Sequence, residues 1–129
     1  MPTLSPLALA CRAAELCAGK AVADILVFRF PPGGEFEYTV LATARSERQA
    51  YAVMDELAGL CKRCRIAHYP LEGEAGWYIL DCHQVVIHAM GAAQREHYAL
   101  ERLWRHAERV DWERELPGLP VLAPPRRGG

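Results

Sequence analysis

Residues Glu72 to Trp104 read EGEAGWYILDCHQVVIHAMGAAQREHYALERLW. An acidic, Gly-containing turn leads into Trp77 and a short apolar run that stops at Asp81. A second apolar run follows and ends near His88. Short apolar runs bounded by turn residues are the signature of strands, here Trp77 to Cys82 and Val85 to Met90. The next segment places Leu100, Leu103, Trp104 and Ala107 on one side at helical spacing. It predicts a helix from about Ala92 to Arg109, with Leu100, Leu103 and Trp104 in the core. Glu101 and Arg105 are placed to pair at i,i+4 on its exposed side.

Working outward, Ser5-Pro6 is a helix start, with Ser5 as N-cap and Pro6 in the first turn. Leu9, Ala13, Leu16 and Cys17 share one face of that helix, and Gly19 can close it. Ala23 to Phe30 reads as a strand. Pro31-Pro32-Gly33-Gly34 then permits a reversal into a second strand, where Phe36, Tyr38 and Val40 alternate with Glu37 and Thr39. Ser46-Glu47-Arg48-Gln49 fits a capping box and starts a long helix with Ala50, Val53, Leu57, Leu60 and Cys64 inward. A short strand is expected near Arg65 to Leu71. The order implies an α/β fold: a mixed β-sheet of about five strands with helices packed on it, in a single domain. That domain is expected over residues 1–116, with residues 117–129 a mobile Pro/Gly-rich tail.

Bulk composition narrows the function. The 129 residues carry a net charge of −1, with 51% hydrophobic and 24% charged residues. Binding held mainly by phosphate contacts needs a basic surplus, so direct sequence-specific nucleic acid binding is not expected. No run approaches the roughly 20 apolar residues of a membrane span, so no membrane partner is expected. Five cysteines, an odd number, with no signal peptide ahead of them, read as reduced thiols in a cytoplasmic protein.

Cys61-x-x-Cys64 has zinc-ligand spacing, and His68, Cys82 and His83 are available as partners. The same pair lies near the end of an amphipathic helix, where Cys serves as a small buried hydrophobe. A second tight Cys/His pair of the zinc-ribbon kind is missing. No metal site and no cofactor are therefore expected, and a zinc-stabilised adaptor stays as an alternative. Ser5 and Ser46 are the only serines and both read as helix caps. No local sequence marks a Cys–His dyad, so no catalytic residue is assigned.

The order of residue types in Glu72–Trp104 resembles the ribosome silencing factor family, also called Iojap-related. That family shows an EG turn, a Trp opening a strand that ends in Asp, a Val-rich strand ending in His, then Arg, Tyr and LExLW. The resemblance extends to Lys20, Ala21, Asp24 and Ile25, to Tyr38-Thr39-Val40 and to the Ala42–Ser46 turn, and so covers Leu9 to Val110. It departs in three places. Asp81-Cys82-His83-Gln84 replaces an Asp-Tyr-Gly-Asp turn, putting His83 where glycine would supply a positive φ. Met90 replaces an aromatic residue. Ala92-Ala93-Gln94 lacks the acid that precedes Arg95.

The resemblance implies a nucleotidyltransferase-like fold without enzymatic activity. It implies a translation repressor that binds the large ribosomal subunit through ribosomal protein L-fourteen and blocks joining of the small subunit. It leaves a homodimer open. The expected partner-binding residues are Trp77, Asp81, His88, Met90, Arg95, Tyr98 and Glu101, with Arg95 and Glu101 as pairing charges and Tyr98 and Met90 as apolar anchors. The alternative is a nucleotide- or metal-dependent transferase on the same fold. Its Asp-x-Asp pair has no counterpart among Asp24, Asp55, Asp81 and Asp111. Glu35-x-Glu37 is the nearest substitute, and no phosphate-cradling Gly-rich motif is present.

Overall fold

The computed structural model describes residues 4–123. Helix α1 (Pro6–Gly19) starts as its sequence requires, with Ser5 Oγ accepting from the Ala8 N–H at 3.1 Å. Ala8, Ala10, Ala13, Ala14, Cys11 and Cys17 are buried, so small side chains let α1 lie close against the sheet. Strands β1 (Ala23–Arg29) and β2 (Tyr38–Ala44) form an antiparallel pair across the Pro-Gly turn.

Helix α2 (Glu47–Arg63) is capped by Ser46 Oγ, which accepts from Gln49 N–H at 3.0 Å. The return bond of the expected capping box goes one residue further back, from Arg45 N–H to Gln49 Oε1 at 2.8 Å. Its buried face is Ala50, Val53, Met54, Leu57 and Cys61. Leu60 and Cys64, expected inward, are only half-buried. The i+4 steps from Ala50 to Met54 and from Leu57 to Cys61 set the face instead.

No strand forms between Arg65 and Leu71. Arg65 takes a positive φ of 57°, and Tyr69 N–H to Asp81 O is a lone bond beside β4. Pro70 has no N–H with which to extend a ladder. The strand falls just after, as β3 (Glu72–Glu74), paired antiparallel with β4 (Trp77–Asp81). Gly73 has a steric reason: a Cβ there would stand 1.9 Å from the Tyr78 ring. Strand β5 (Val85–Gly91) lies antiparallel to β4 and parallel to β2.

The helix expected from Ala92 to Arg109 is not continuous. It divides into α3 (Ala92–Tyr98) and α4 (Leu100–Leu103) at Ala99, which is left-handed at φ 49°, ψ 45°. The chain then forms β6 (Glu108–Val110), a sixth strand antiparallel to β1. The break has a geometric cause. Arg95 and Trp104 both bond or pack onto the sheet, yet nine residues at 3.6 per turn would set them about 180° apart on a straight helix. The kink lets both face inward. It also exposes Leu103, which is 72% accessible rather than in the core, and leaves Leu100 and Trp104 half-buried. Glu101 pairs with Arg95 instead of Arg105, because α4 ends before Arg105.

The mixed sheet thus has six strands in the order β3-β4-β5-β2-β1-β6. Helix α5 (Trp112–Glu115) and a 3-10 turn (Leu116–Gly118) follow. The segment expected to be free from Pro117 is held by Arg12. Its guanidinium donates to Leu116 O at 3.1 Å and Leu119 O at 2.6 Å, and its Nε to Pro120 O at 3.0 Å. Leu122 packs against the core, and the rest of that expected tail, residues 124–129, lies outside the described residues.

Alternation divides the sheet into two faces. Tyr38, Val40, Ala42, Leu80, Val85, Ile87 and Ala89 point to α1 and α2 and make the main core. The other face carries Phe28, Leu41, Thr43, His88 and Met90, and toward β3 it carries Trp77, Ile79 and Asp81.

Candidate functional site

The second face is covered over half its width. Trp104 covers β1 and β5, its ring centroid 5.9 Å from Phe28, 5.9 Å from Phe30 and 5.6 Å from His88. Arg95 is 8% exposed and donates to Thr43 Oγ1 at 2.7 Å, to Asp24 O, and from Nε to Glu101 Oε1 at 2.7 Å. These two side chains clamp α3 and α4 to the sheet.

The other half is open. Trp77 and Tyr98 pack with ring centroids 4.7 Å apart and planes tilted by 53°, with Trp77 half-buried and Tyr98 53% exposed. Together with Ile79, Gln94, Glu72 and Glu74 they line a groove of about 610 Å³. Glu72 and Glu74 pair in register with Ile79 and Trp77, so both carboxylates stand on this face and give the rim negative charge.

The groove is built from below. Trp77 Nε1–H donates to His88 Nδ1 at 3.2 Å, which fixes the indole edge and requires the imidazole to be unprotonated at that nitrogen. Burial pushes the His88 pKa down from 6.5 to about 4, in keeping with an uncharged ring. Gln94 joins α3 to the β3–β4 turn. Its Oε1 accepts from Gly91 N–H at 3.0 Å, and its Nε2 donates to Ala75 O. Gln94 was absent from the residues expected from sequence. A polar residue three positions after a strand-ending Gly was its only signal.

Of the seven residues expected at the surface, the structure brings Trp77 and Tyr98 together there. Glu101 lies nearby with its side chain 45% exposed, and its carboxylate is engaged by Arg95. Asp81 is half-buried, and its Oδ1 accepts from His83 N–H at 2.9 Å, closing the β4–β5 turn. Met90, His88 and Arg95 need correction. Met90 is 0% exposed because it points under α3, so it is no surface anchor. His88 and Arg95, each 8% exposed, are supports beneath the surface rather than contacts on it.

The sets weighed for chemistry do not assemble. Among the described residues, no three or more His, Cys, Asp or Glu side chains converge to hold a metal. Cys61 turns inward to Cys82 rather than outward with Cys64, and His68 Nδ1 is engaged with Ile66 O at 2.9 Å. Glu35 and Glu37 precede β2 rather than lying on it. Among the described residues no helix is long and apolar enough to cross a membrane.

The family described as ribosomal silencing factor during starvation (RsfS) matches residues 3–126. The protein is 36% identical over 67 residues to ribosomal silencing factor RsfS of Haemophilus influenzae, covering 50% of this chain and 66% of that one. The chain therefore spans just under two thirds of that relative's length. It is 29% identical over 102 residues to RsfS of Bacillus subtilis, covering 77% and 86% of the two chains. A Mus musculus protein named mitochondrial assembly of ribosomal large subunit protein 1 is 34% identical over 87 residues, covering 63% of this chain and 38% of that one. A crystal structure from Chromobacterium violaceum superposes with a TM-score of 0.73 at 27% identity, covering 79% of this chain and 88% of that one. With the match running through α1, the whole sheet and the aromatic groove, the chain belongs to the RsfS family of ribosomal silencing factors.

Proposed function

We propose that the protein silences ribosomes by binding, without catalysis. It docks on the large ribosomal subunit through ribosomal protein L-fourteen and sterically blocks joining of the small subunit, repressing translation in the cytoplasm. The observation that carries this reading is the Trp77–Tyr98 pair, aromatic and accessible, on an open sheet face whose backing is fixed. Aromatic residues on a rigid base lose little conformational freedom on binding, which is why they dominate interface energetics. The name of the mouse relative links that protein to the large subunit, which supports the choice of partner. The carboxylates of Glu72 and Glu74 favour a partner surface bearing positive charge.

A steric block needs only one copy of the chain on the joining face. The test is co-sedimentation with purified large subunits, followed by a joining assay with small subunits. Binding at low micromolar protein together with fewer joined ribosomes is expected. Absence of binding in that range, or binding that leaves joining unchanged, would overturn the proposal.

A further inference from the structure

All five cysteines are free, and among the described residues one pair of them touches. Cys61 lies in the last turn of α2 and Cys82 immediately follows β4. Their sulfurs are 4.0 Å apart, and both residues are buried. Both point to the main core, so the contact lies on the face of the sheet opposite the aromatic groove. We propose that Cys61 and Cys82 form a redox modification site, in which a peroxide oxidant joins them into a disulfide that ties α2 to the β4–β5 turn. This does not depend on the ribosomal reading above.

The geometry needs little adjustment. A disulfide has sulfurs about 2 Å apart, so each side chain must move its sulfur by about 1 Å along the existing contact. Cys82 stands at the start of the β4–β5 turn. Cys82 is 6% exposed, and His83 and Gln84 beside it are exposed. The pair is also asymmetric. Either sulfur can donate in this contact, and the shared hydrogen bond lowers the Cys61 pKa despite its burial and, together with burial, raises that of Cys82. Cys61 is thus the nucleophile.

Its thiolate attacks one oxygen of hydrogen peroxide and the O–O bond breaks. Cys61 becomes a sulfenic acid, and hydroxide leaves to take up a proton as water. The Cys82 sulfur then attacks the sulfenic sulfur. The S–S bond forms, the S–O bond breaks, and the departing hydroxide takes the Cys82 proton as a second water. The cysteines lose two electrons in total and the peroxide gains two.

Cys64 is the competitor, three residues further along α2 and half-buried, but its thiol is pushed up by burial and by neighbouring Cys61. Lys62, Arg63 and Arg65 let trypsin place Cys61, Cys64 and Cys82 on three separate peptides. The experiment is graded hydrogen peroxide on the folded, full-length protein, then alkylation and non-reducing peptide mapping. The expected result is loss of two thiols together, a mass decrease of two hydrogens, and a cross-link between the Cys61 and Cys82 peptides that dithiothreitol reverses. Cys64→Ser should keep the cross-link, and Cys82→Ala should abolish it. A cross-link to Cys64, stepwise oxidation of single thiols without a cross-link, or a Cys61–Cys82 bond that appears only after urea unfolding would each overturn the proposal. The mapping on the unsubstituted chain decides the matter even where a variant fails to fold.

Discussion

The two faces of the sheet are built on different principles. One is covered by two long helices through small and aliphatic side chains, with Val40, Ala42, Ile87, Ala89, Met54 and Leu57 all at 0% exposure. The other is half covered by short pieces, α3 and α4, held down chiefly by one arginine and one tryptophan. Burial on the first face is non-directional and spread over many residues. Adhesion on the second depends on a few oriented contacts, and β4 is left bare beside them. The first face therefore carries stability, and the second offers an ordered but weakly anchored surface, the kind of place from which binding sites are drawn.

Cutting into the first face should have the largest effect. Leu57→Ala removes a fully buried side chain packed between α2 and the sheet. It should cost about 2–5 kcal/mol, read as a lower urea midpoint with an unchanged slope. A cost below about 1 kcal/mol would mean that α2 packs loosely and that the two faces do not differ as described.

On the second face the comparable loss should come from acid rather than from a cavity. His88 titrates at about 4 when folded against 6.5 as the ordinary value. Above pH 6.5 it is neutral in both states and adds no pH dependence. As pH falls below 6.5 the unfolded chain takes up the proton first, so stability declines until pH 4, where the folded ring also protonates. The full decline attributable to this group is about 3 kcal/mol. His88→Gln, whose amide oxygen can still accept from Trp77, should flatten the stability curve across that window. An unchanged slope in the variant would assign the acid sensitivity elsewhere.

Arg95 and Tyr98 separate support from contact. Arg95→Ala leaves Thr43 and the Asp24 carbonyl without their donor, so it should destabilise by about 2 kcal/mol and weaken large-subunit binding as a consequence. Tyr98→Ala should weaken binding by about 2 kcal/mol, some thirtyfold, while stability changes by less than about 0.5 kcal/mol. Chemical denaturation and co-sedimentation on both variants test the distinction. If Tyr98→Ala unfolds the chain, or Arg95→Ala leaves stability untouched, the assignments are reversed.

The first face was legible in the sequence because its signals are local and repetitive. Ser5, Pro6 and Ser46 mark helix starts, and the short runs read as strands form β2 and β5, buried along nearly all their length. The Trp77–Tyr98 half of the second face was legible only through the family pattern. What stayed hidden was the turn at Ala99, since nothing in Tyr98-Ala99-Leu100 interrupts a helix. The periodicity that placed Leu103 in the core was sound for a straight helix. It failed because Arg95 and Trp104, on opposite sides of that helix, both have partners on the sheet. A tertiary demand therefore overrode local propensity at Ala99, and it set Arg95 beneath the surface it was expected to form.

The smallest effect should come from the β4–β5 turn. His83 adopts φ 68°, a conformation in which its Cβ is strained and which glycine takes freely. Its ring also lies 4.9 Å from Tyr69, a contact between two exposed side chains that should contribute little. His83→Gly gives up that contact and adds flexibility to the unfolded chain, but it relieves the left-handed backbone. The net gain should be about 0.5–1 kcal/mol, a rise of a few degrees in thermal midpoint. The His83 N–H to Asp81 Oδ1 bond involves backbone and survives the change. Neither Trp77 nor Tyr98 is touched, so large-subunit affinity should stay the same. A stabilised chain with unaltered binding would show that the open face recognises its partner independently of overall stability. A parallel change in both quantities would instead tie recognition to the folding of β4 and remove the contrast between the two faces.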